Sequence, residues 1–253
     1  MEKISSRQNP RVKYLAGLHN RKKRKETGEI ILEGPNLIKE AQKTGILFLE
    51  VMATQELLQK EKMLFPEEIT VVTEEVMAKI APSKTPQGIV ARIKRPVFSW
   101  KDILGKNRLL ILDGLQDPGN VGTLIRTAAG ADFGGVVLLG EGADPYQPKA
   151  LRASAGAIFK IPLAEIPSPE TKQFITEMES SFLIYKAEPR GGKDYRQVEF
   201  GKKCALILGH ETRGFSPEFE EVPTTSVSIS LTREVESLNV AAAGAVLLFG
   251  MKS

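Results

Sequence analysis

The chain has 253 residues, 42% of them hydrophobic, and a formal net charge of +4 at pH 7, enough apolar material for one large domain or two modest ones. One cysteine, Cys204, and two histidines, His19 and His210, exclude an intrachain disulfide and leave no Cys/His set for a zinc site, so no metal is expected. The charged start MEKISSRQNPRVK has no apolar signal core, and no stretch approaches the roughly 18 apolar residues of a membrane span; this predicts a cytoplasmic protein without a membrane partner.

In chain order, charge comes first. Residues 1–25 hold nine cations (Lys3, Arg7, Arg11, Lys13, Arg21, Lys22, Lys23, Arg24 and Lys25) against Glu2, a net +8 that leaves the other 228 residues at −4. Such a local field attracts polyanions, and phosphate contacts supply most sequence-independent affinity for nucleic acid. Arg7, Arg11, Lys13 and Arg21 through Lys25 are therefore candidate RNA contacts. A solvated basic tail is the competing reading.

NPRVKYLAGL and GPNLIKEAQKTG read as helices, and EIILE, ILFLEVMA, EITVVT and GIVARIK as short strands. The alternation predicts a small α/β domain over residues 1–95. Residues 96–107, with a proline, the lone Trp100, mixed charge and no sustained period, read as a linker. A second series over residues 108–253 contains LLILDGL, GVVLLG, FLIYKA, CALILG and SVSISL. Runs of this kind suit strands buried on both faces of a parallel sheet. Helical patterns lie among them: VGTLIRTAAGADF, KALRASAGAIFK, PETKQFITEMESS and SLNVAAAGAVLLFG.

Ligands of open parallel sheets sit at the carboxyl ends of the strands, which directs attention to three loops. The first, from Asp117 to Gly122, leads into a helix with Asn120 well typed as its N-cap and with Arg126 in a clearing between Gly122 and Gly130. A guanidinium there suits a phosphate or a ribose oxygen, or a plain surface salt bridge. The second, Gly209-His210-Glu211-Thr212-Arg213-Gly214, permits close backbone approach; its HExxG pattern fails the zinc-protease HExxH test. The third runs from Ile229 to Val240, through Arg233, with Ser237 suited to cap the last helix, whose small residues Ala241 to Ala245 let another helix approach.

Taken together, DPGNVGTLIRTA, LILGHETRG and SISLTREVESLNVAAA resemble the three motifs of the SpoU, or TrmH, family of RNA 2′-O-methyltransferases, in the SPOUT class. TPQGIVA at residues 85–91 is similar to the segment joining that family's substrate-binding and catalytic domains, so the resemblance covers nearly the whole chain. It implies a SPOUT catalytic domain, an α/β parallel sheet with a trefoil knot at its carboxyl end, an exception to the rule against knots. It also implies a smaller ribosomal-protein-like RNA-binding domain at the amino end, S-adenosylmethionine as cofactor, and a homodimer. By motif position, Gly209, Ile229 and Leu238 correspond to cofactor contacts. Arg126 corresponds to the catalytic arginine, Asn120 to the asparagine beside it, and Glu211, Ser237 and Asn239 complete the pocket. One departure is Ser230, where the family often has proline, which implies a looser backbone there.

The reaction is an in-line methyl transfer that needs alignment and loss of a hydroxyl proton. Arg126 is either the base or a ligand of the oxyanion or phosphate; an arginine ordinarily keeps its proton to about pH 12. The first reading of the target is 23S ribosomal RNA, and transfer RNA is the second. From another class, the chain could be a non-catalytic RNA-binding or ribosome-assembly factor with the same fold. No P-loop or GxGxxG turn supports a nucleotide-hydrolysing enzyme.

Overall fold

The structure is a computed structural model that describes residues 3–60, 68–232 and 234–252. It divides into two compact units, residues up to Pro96 together with Tyr146–Phe159, and Val97–Pro145 together with the residues from Lys160 on.

The first unit contains β1 (Lys3–Ile4), α1 (Pro10–Gly17), α2 (Arg21–Thr27), β2 (Glu29–Glu33), α3 (Pro35–Lys43), β3 (Phe48–Thr54), α4 (Gln55–Lys60), β4 (Ile69–Val72), α5 (Glu74–Ile80) and β5 (Ile89–Lys94). Its sheet runs β1-β4-β3-β5-β2, parallel along β1, β4 and β3 and antiparallel at β5 and β2. Val12 and Leu15 of α1, Leu18 just beyond it, and Val76, Met77 and Ile80 of α5 are buried in one cluster with Ile31 and Met52 of the sheet. The basic stretch is thus part of a packed layer and not a tail. Asn9 caps α1 and Asn20 caps α2, which ends at Gly28 in the left-handed conformation, φ 64°.

The second unit contains α6 (Trp100–Leu104), β6 (Arg108–Asp113), α7 (Pro118–Gly130) and β7 (Gly135–Leu139). After α8 (Pro148–Ser154), which packs with the first unit, come β8 (Leu163–Ile166), α9 (Ser168–Glu179), β9 (Leu183–Ala187), β10 (Lys193–Asp194), β11 (Cys204–Leu208), β12 (Thr225–Ser228) and α10 (Val240–Gly250). All seven strands pair in parallel, in the order β10-β12-β9-β11-β6-β7-β8. Every residue of β7 and β11 is buried, as a parallel sheet covered on both faces requires.

Part of the stretch read as a linker is α6, whose Trp100 and Ile103 lie in the core. The Trp100 ring stands edge-on to Phe174, with centroids 5.8 Å apart, and its Nε1 donates to Glu170 at 3.0 Å. Charged residues on the solvent side of this five-residue helix mask its apolar side in the sequence. The approach expected at the small residues of the last helix occurs at Gly244, where a Cβ would fall 2.3 Å from Leu124 Cδ2 of α7. The pattern KALRASAGAIFK is broken at Ala155, φ 47°, into α8 and a single 3₁₀ turn.

Candidate active site

Three loops at the carboxyl ends of β6, β11 and β12 meet. Asp117, and not Asn120, is the N-cap of α7: its carboxylate accepts from Asn120 N at 2.9 Å, and Pro118 occupies the first turn. Displaced from the capping role, Asn120 points its amide across the sheet edge. Its Nδ2 donates to Glu211 Oε1 at 3.3 Å, and its Oδ1 accepts from Asn239 Nδ2 at 3.3 Å. Asn239 is the N-cap of α10, accepting from Ala241 N at 2.9 Å and Ala242 N at 3.3 Å. That corrects the expectation that Ser237 caps this helix: the backbone turns two residues later, and Ser237 is left lining the pocket.

Gly209 to Gly214 form a tight hairpin in which His210 N donates to Gly214 O at 2.8 Å and Gly214 N to His210 O at 3.0 Å. A Cβ on Gly209 would sit 2.7 Å from Gly214 O, and Gly214 has φ +74°, so both positions require glycine. His210 Nδ1 accepts from Thr212 N at 3.1 Å and Arg213 N at 3.3 Å, closing the turn inside the hairpin. At its end, Ser216 N donates to the buried carboxylate of Asp113, the last residue of β6, at 2.6 Å, and the Ser216 hydroxyl donates to the same group. Burial raises the Asp113 pKa above the usual carboxylate range, against the two hydrogen bonds from Ser216 that pull it down.

The segments after β9, β11 and β12 bound a cavity of about 570 Å³, within the roughly 300–1,000 Å³ of small-molecule sites. Gly209, Glu211, Ile229, Ser237, Leu238 and Asn239 line it, with His210 and Leu231 of the same loops, as do residues the sequence did not single out: the strand-end segment Ala187–Pro189 and Leu247. The run AEPRGG at the end of β9 was the signal that could have marked 187–189. Asn120 joins the site through its hydrogen bonds. Arg126 does not line the cavity; it is exposed on α7 and makes no hydrogen bond or ion pair among the described residues. Arg233 lies outside the described residues. At the departure from proline, the Ser230 hydroxyl donates to Asp194. Hydrogen bonds from Arg196 and Ser230 hold the Asp194 carboxyl well below its ordinary range.

The eight candidate RNA contacts separate. Arg7, Lys13, Arg21, Lys22 and Lys25 are exposed. Lys23 is half-buried, its Nζ 4.3 Å from the centre of the Tyr14 ring. Arg24 is corrected: it is 5% exposed, and its Nη1 donates to Leu18 O and His19 O, both at 2.8 Å, so it satisfies the carbonyls after α1. Arg11 is held by Glu50 at 2.7 Å and Thr70 at 3.0 Å, in a network that continues through Arg92 to Glu29.

No helix among the described residues is long and apolar enough to cross a membrane. In comparisons with known proteins, the SpoU rRNA Methylase family matches residues 107–249, and the MRM3-like substrate binding domain matches residues 9–91. An uncharacterized tRNA/rRNA methyltransferase of Synechocystis sp. is 35% identical over 97% of this chain and 92% of its own. The 23S rRNA (guanosine(2553)-2′-O)-methyltransferase RlmP of Bacillus subtilis is 29% identical over the whole of both. The AdoMet-bound rRNA methyltransferase from Sinorhizobium meliloti superposes with a TM-score of 0.86 at 27% identity, covering 99% of this chain and 97% of that one.

Proposed function

The chain belongs to the SpoU rRNA Methylase family, and on that premise we propose that it transfers a methyl group from S-adenosylmethionine to a ribose 2′-hydroxyl of 23S ribosomal RNA. The observation that carries this reading is the cavity at the carboxyl ends of β11 and β12, with the Asn239–Asn120–Glu211 chain at its edge.

The residues present fit the cofactor. Leu208, Ile229, Leu231 and Leu238 offer apolar walls to a flat base, the Gly209–Gly214 hairpin brings backbone groups close, and Glu188 and Glu211 give the lining a negative charge suited to a cationic ligand. S-adenosylmethionine supplies an activated methyl group on a sulfonium. Gly209, Ile229 and Leu238 hold it through main-chain groups. Glu211 and Asn239 fix the Asn120 amide between them, so that its orientation is set before substrate arrives, and such preorganisation is the larger part of electrostatic catalysis. Ser237 supplies a further hydroxyl to the pocket, and Arg126 meets the RNA as a fork of donors for a ribose or phosphate oxygen.

In this proposal residues 1–95 are the RNA-binding domain, the stretch 96–107 leads from it into the SPOUT domain and gives that domain's core Trp100 and Ile103 of α6, and the carboxyl-terminal segment of the SPOUT domain forms the trefoil knot. Arg7, Lys13, Arg21, Lys22, Lys23 and Lys25 contact phosphate. The protein works in the cytoplasm as a homodimer, with the exposed Val246 and Phe249 of α10 covered by the second copy.

Calorimetric titration of the full chain with S-adenosylmethionine in a chelator tests the pocket. Binding is expected with the chelator present, and is expected to be lost in Gly209→Val, whose side chain would collide with Gly214 O. Binding that needs a divalent ion, or that survives Gly209→Val, contradicts the assignment.

A further inference from the structure

Asp113 stands 2% exposed at the carboxyl end of β6. A carboxylate in such a place is costly unless its oxygens are bonded. Both are: Oδ2 accepts from Ser216 N at 2.6 Å and Oδ1 from the Ser216 hydroxyl. The two ends of this contact matter because of what each carries. On one side the chain runs from Asp113 through Gly114 into the loop that holds Asn120. On the other, Ser216 closes the segment that begins at Gly209 and presents Glu211 to Asn120.

The hairpin is therefore fixed to the β6 loop at two points. One is its exposed tip, where Glu211 meets Asn120 at 3.3 Å. The other is its buried base, where Ser216 meets Asp113. The residues on either side of Ser216 are held as well, since Lys186 Nζ donates to Phe219 O at 2.8 Å and lies 5.4 Å from the centre of the Phe215 ring. Loosening the base would leave the turn at Pro217–Phe219 anchored and the hairpin held on that side through Phe215, which packs against the core.

We propose that Asp113 is a positioning residue for the pocket: through Ser216 it sets the hairpin so that the Gly209 backbone and the Glu211 carboxylate keep their places against the Asn120 loop. The inference rests on reading the cavity as the S-adenosylmethionine site. A side chain that served folding alone could be apolar; a charged acceptor for both a main-chain and a side-chain donor of one residue specifies a position.

The test compares full-length wild type, Ser216→Ala, Ser216→Thr and Asp113→Asn by calorimetry with S-adenosylmethionine, by thermal melting, and by the rate of tryptic cleavage after the exposed Arg213. Loss of one hydrogen bond in Ser216→Ala should weaken cofactor binding by roughly five- to tenfold and speed cleavage at Arg213. Ser216→Thr keeps the hydroxyl and should restore both. Asp113→Asn, which turns an amide donor toward one of the two Ser216 donors, should weaken binding at least as much as Ser216→Ala. A Ser216→Ala protein that melts lower but binds the cofactor as tightly as wild type, with unchanged cleavage, reduces Asp113 to a folding role and overturns the proposal. A wild-type protein that binds no S-adenosylmethionine overturns the reading of the pocket itself, and this inference with it.

Discussion

Residue identity decides chemistry here through position within a turn. Asp117 and Asn120 are both good capping types, as are Ser237 and Asn239; what selects the first and the last of these is where the backbone enters the helix, with Pro118 fixing the first turn of α7. The two asparagines then take different parts, one capping and one reaching across to Glu211. Arg24 shows the opposite limit, because a run of five cations gives no sign that the fourth is turned inward to two carbonyls. Glu29 makes a residue-scale prediction. Burial alone would raise its pKa, but hydrogen bonds from Arg92, Lys94 and Tyr14 outweigh it and hold the carboxyl at about 2, below its ordinary 4.5. A lowered folded-state pKa adds stability that is complete above the unfolded value and fades as pH falls toward the folded one. Denaturant unfolding of Glu29→Gln should therefore show a loss of about 1–3 kcal/mol near neutral pH. The gap to wild type should close as pH falls from about 4.5 to about 2; a gap that stayed constant over this window would remove Glu29 from the pH dependence.

Elements with a strong apolar period were legible, and elements without one were not. The runs over β2, β6, β7 and β11 match strands whose every residue is buried, apart from the half-buried Arg108 that opens β6. By contrast α2, RKKRKET, has no apolar stripe and owes its ends to Asn20 and Gly28, while β8, four residues at the edge of its sheet, is too short to stand out. The three loops were legible because small and polar residues cluster directly after buried strands, whereas residues 187–189 open the similar run AEPRGG at the end of β9, a strand buried only at Ile184 and Tyr185. At this scale the RNA face can be tested on α2 without unfolding anything. Removing residues 1–25 would strip Val12, Leu15 and Leu18 from the core, so point changes are needed. Changing Arg21, Lys22 and Lys25 to Gln should lower the log–log salt slope for binding a 23S rRNA fragment by about 2, at roughly 0.7 per lost single-strand phosphate contact. An unchanged slope would place phosphate binding elsewhere.

For the whole molecule, a chain order of α/β followed by α/β reads naturally as two domains in series, but residues 146–159 leave the second unit to pack with the first. Gly156 marks this return: its φ is +84°, and a Cβ there would meet Glu40 Cβ at 2.5 Å. Pairing between segments so distant in sequence leaves no local trace, which is why neither this return nor the strand order β10-β12-β9-β11-β6-β7-β8 was open to periodicity. It is this long-range order that brings the loops after β6, β11 and β12 together through Asn120, Glu211 and Asn239, and the central claim is that they join there to methylate ribosomal RNA. Mapping ribose 2′-O-methylation across total RNA from cells lacking the protein, and from the same cells given back wild type or Arg126→Ala, tests it most directly. The account predicts one 2′-O-methyl mark in 23S rRNA that disappears with the protein, returns with wild type, and does not return with Arg126→Ala. A methylation map identical with and without the protein would contradict it.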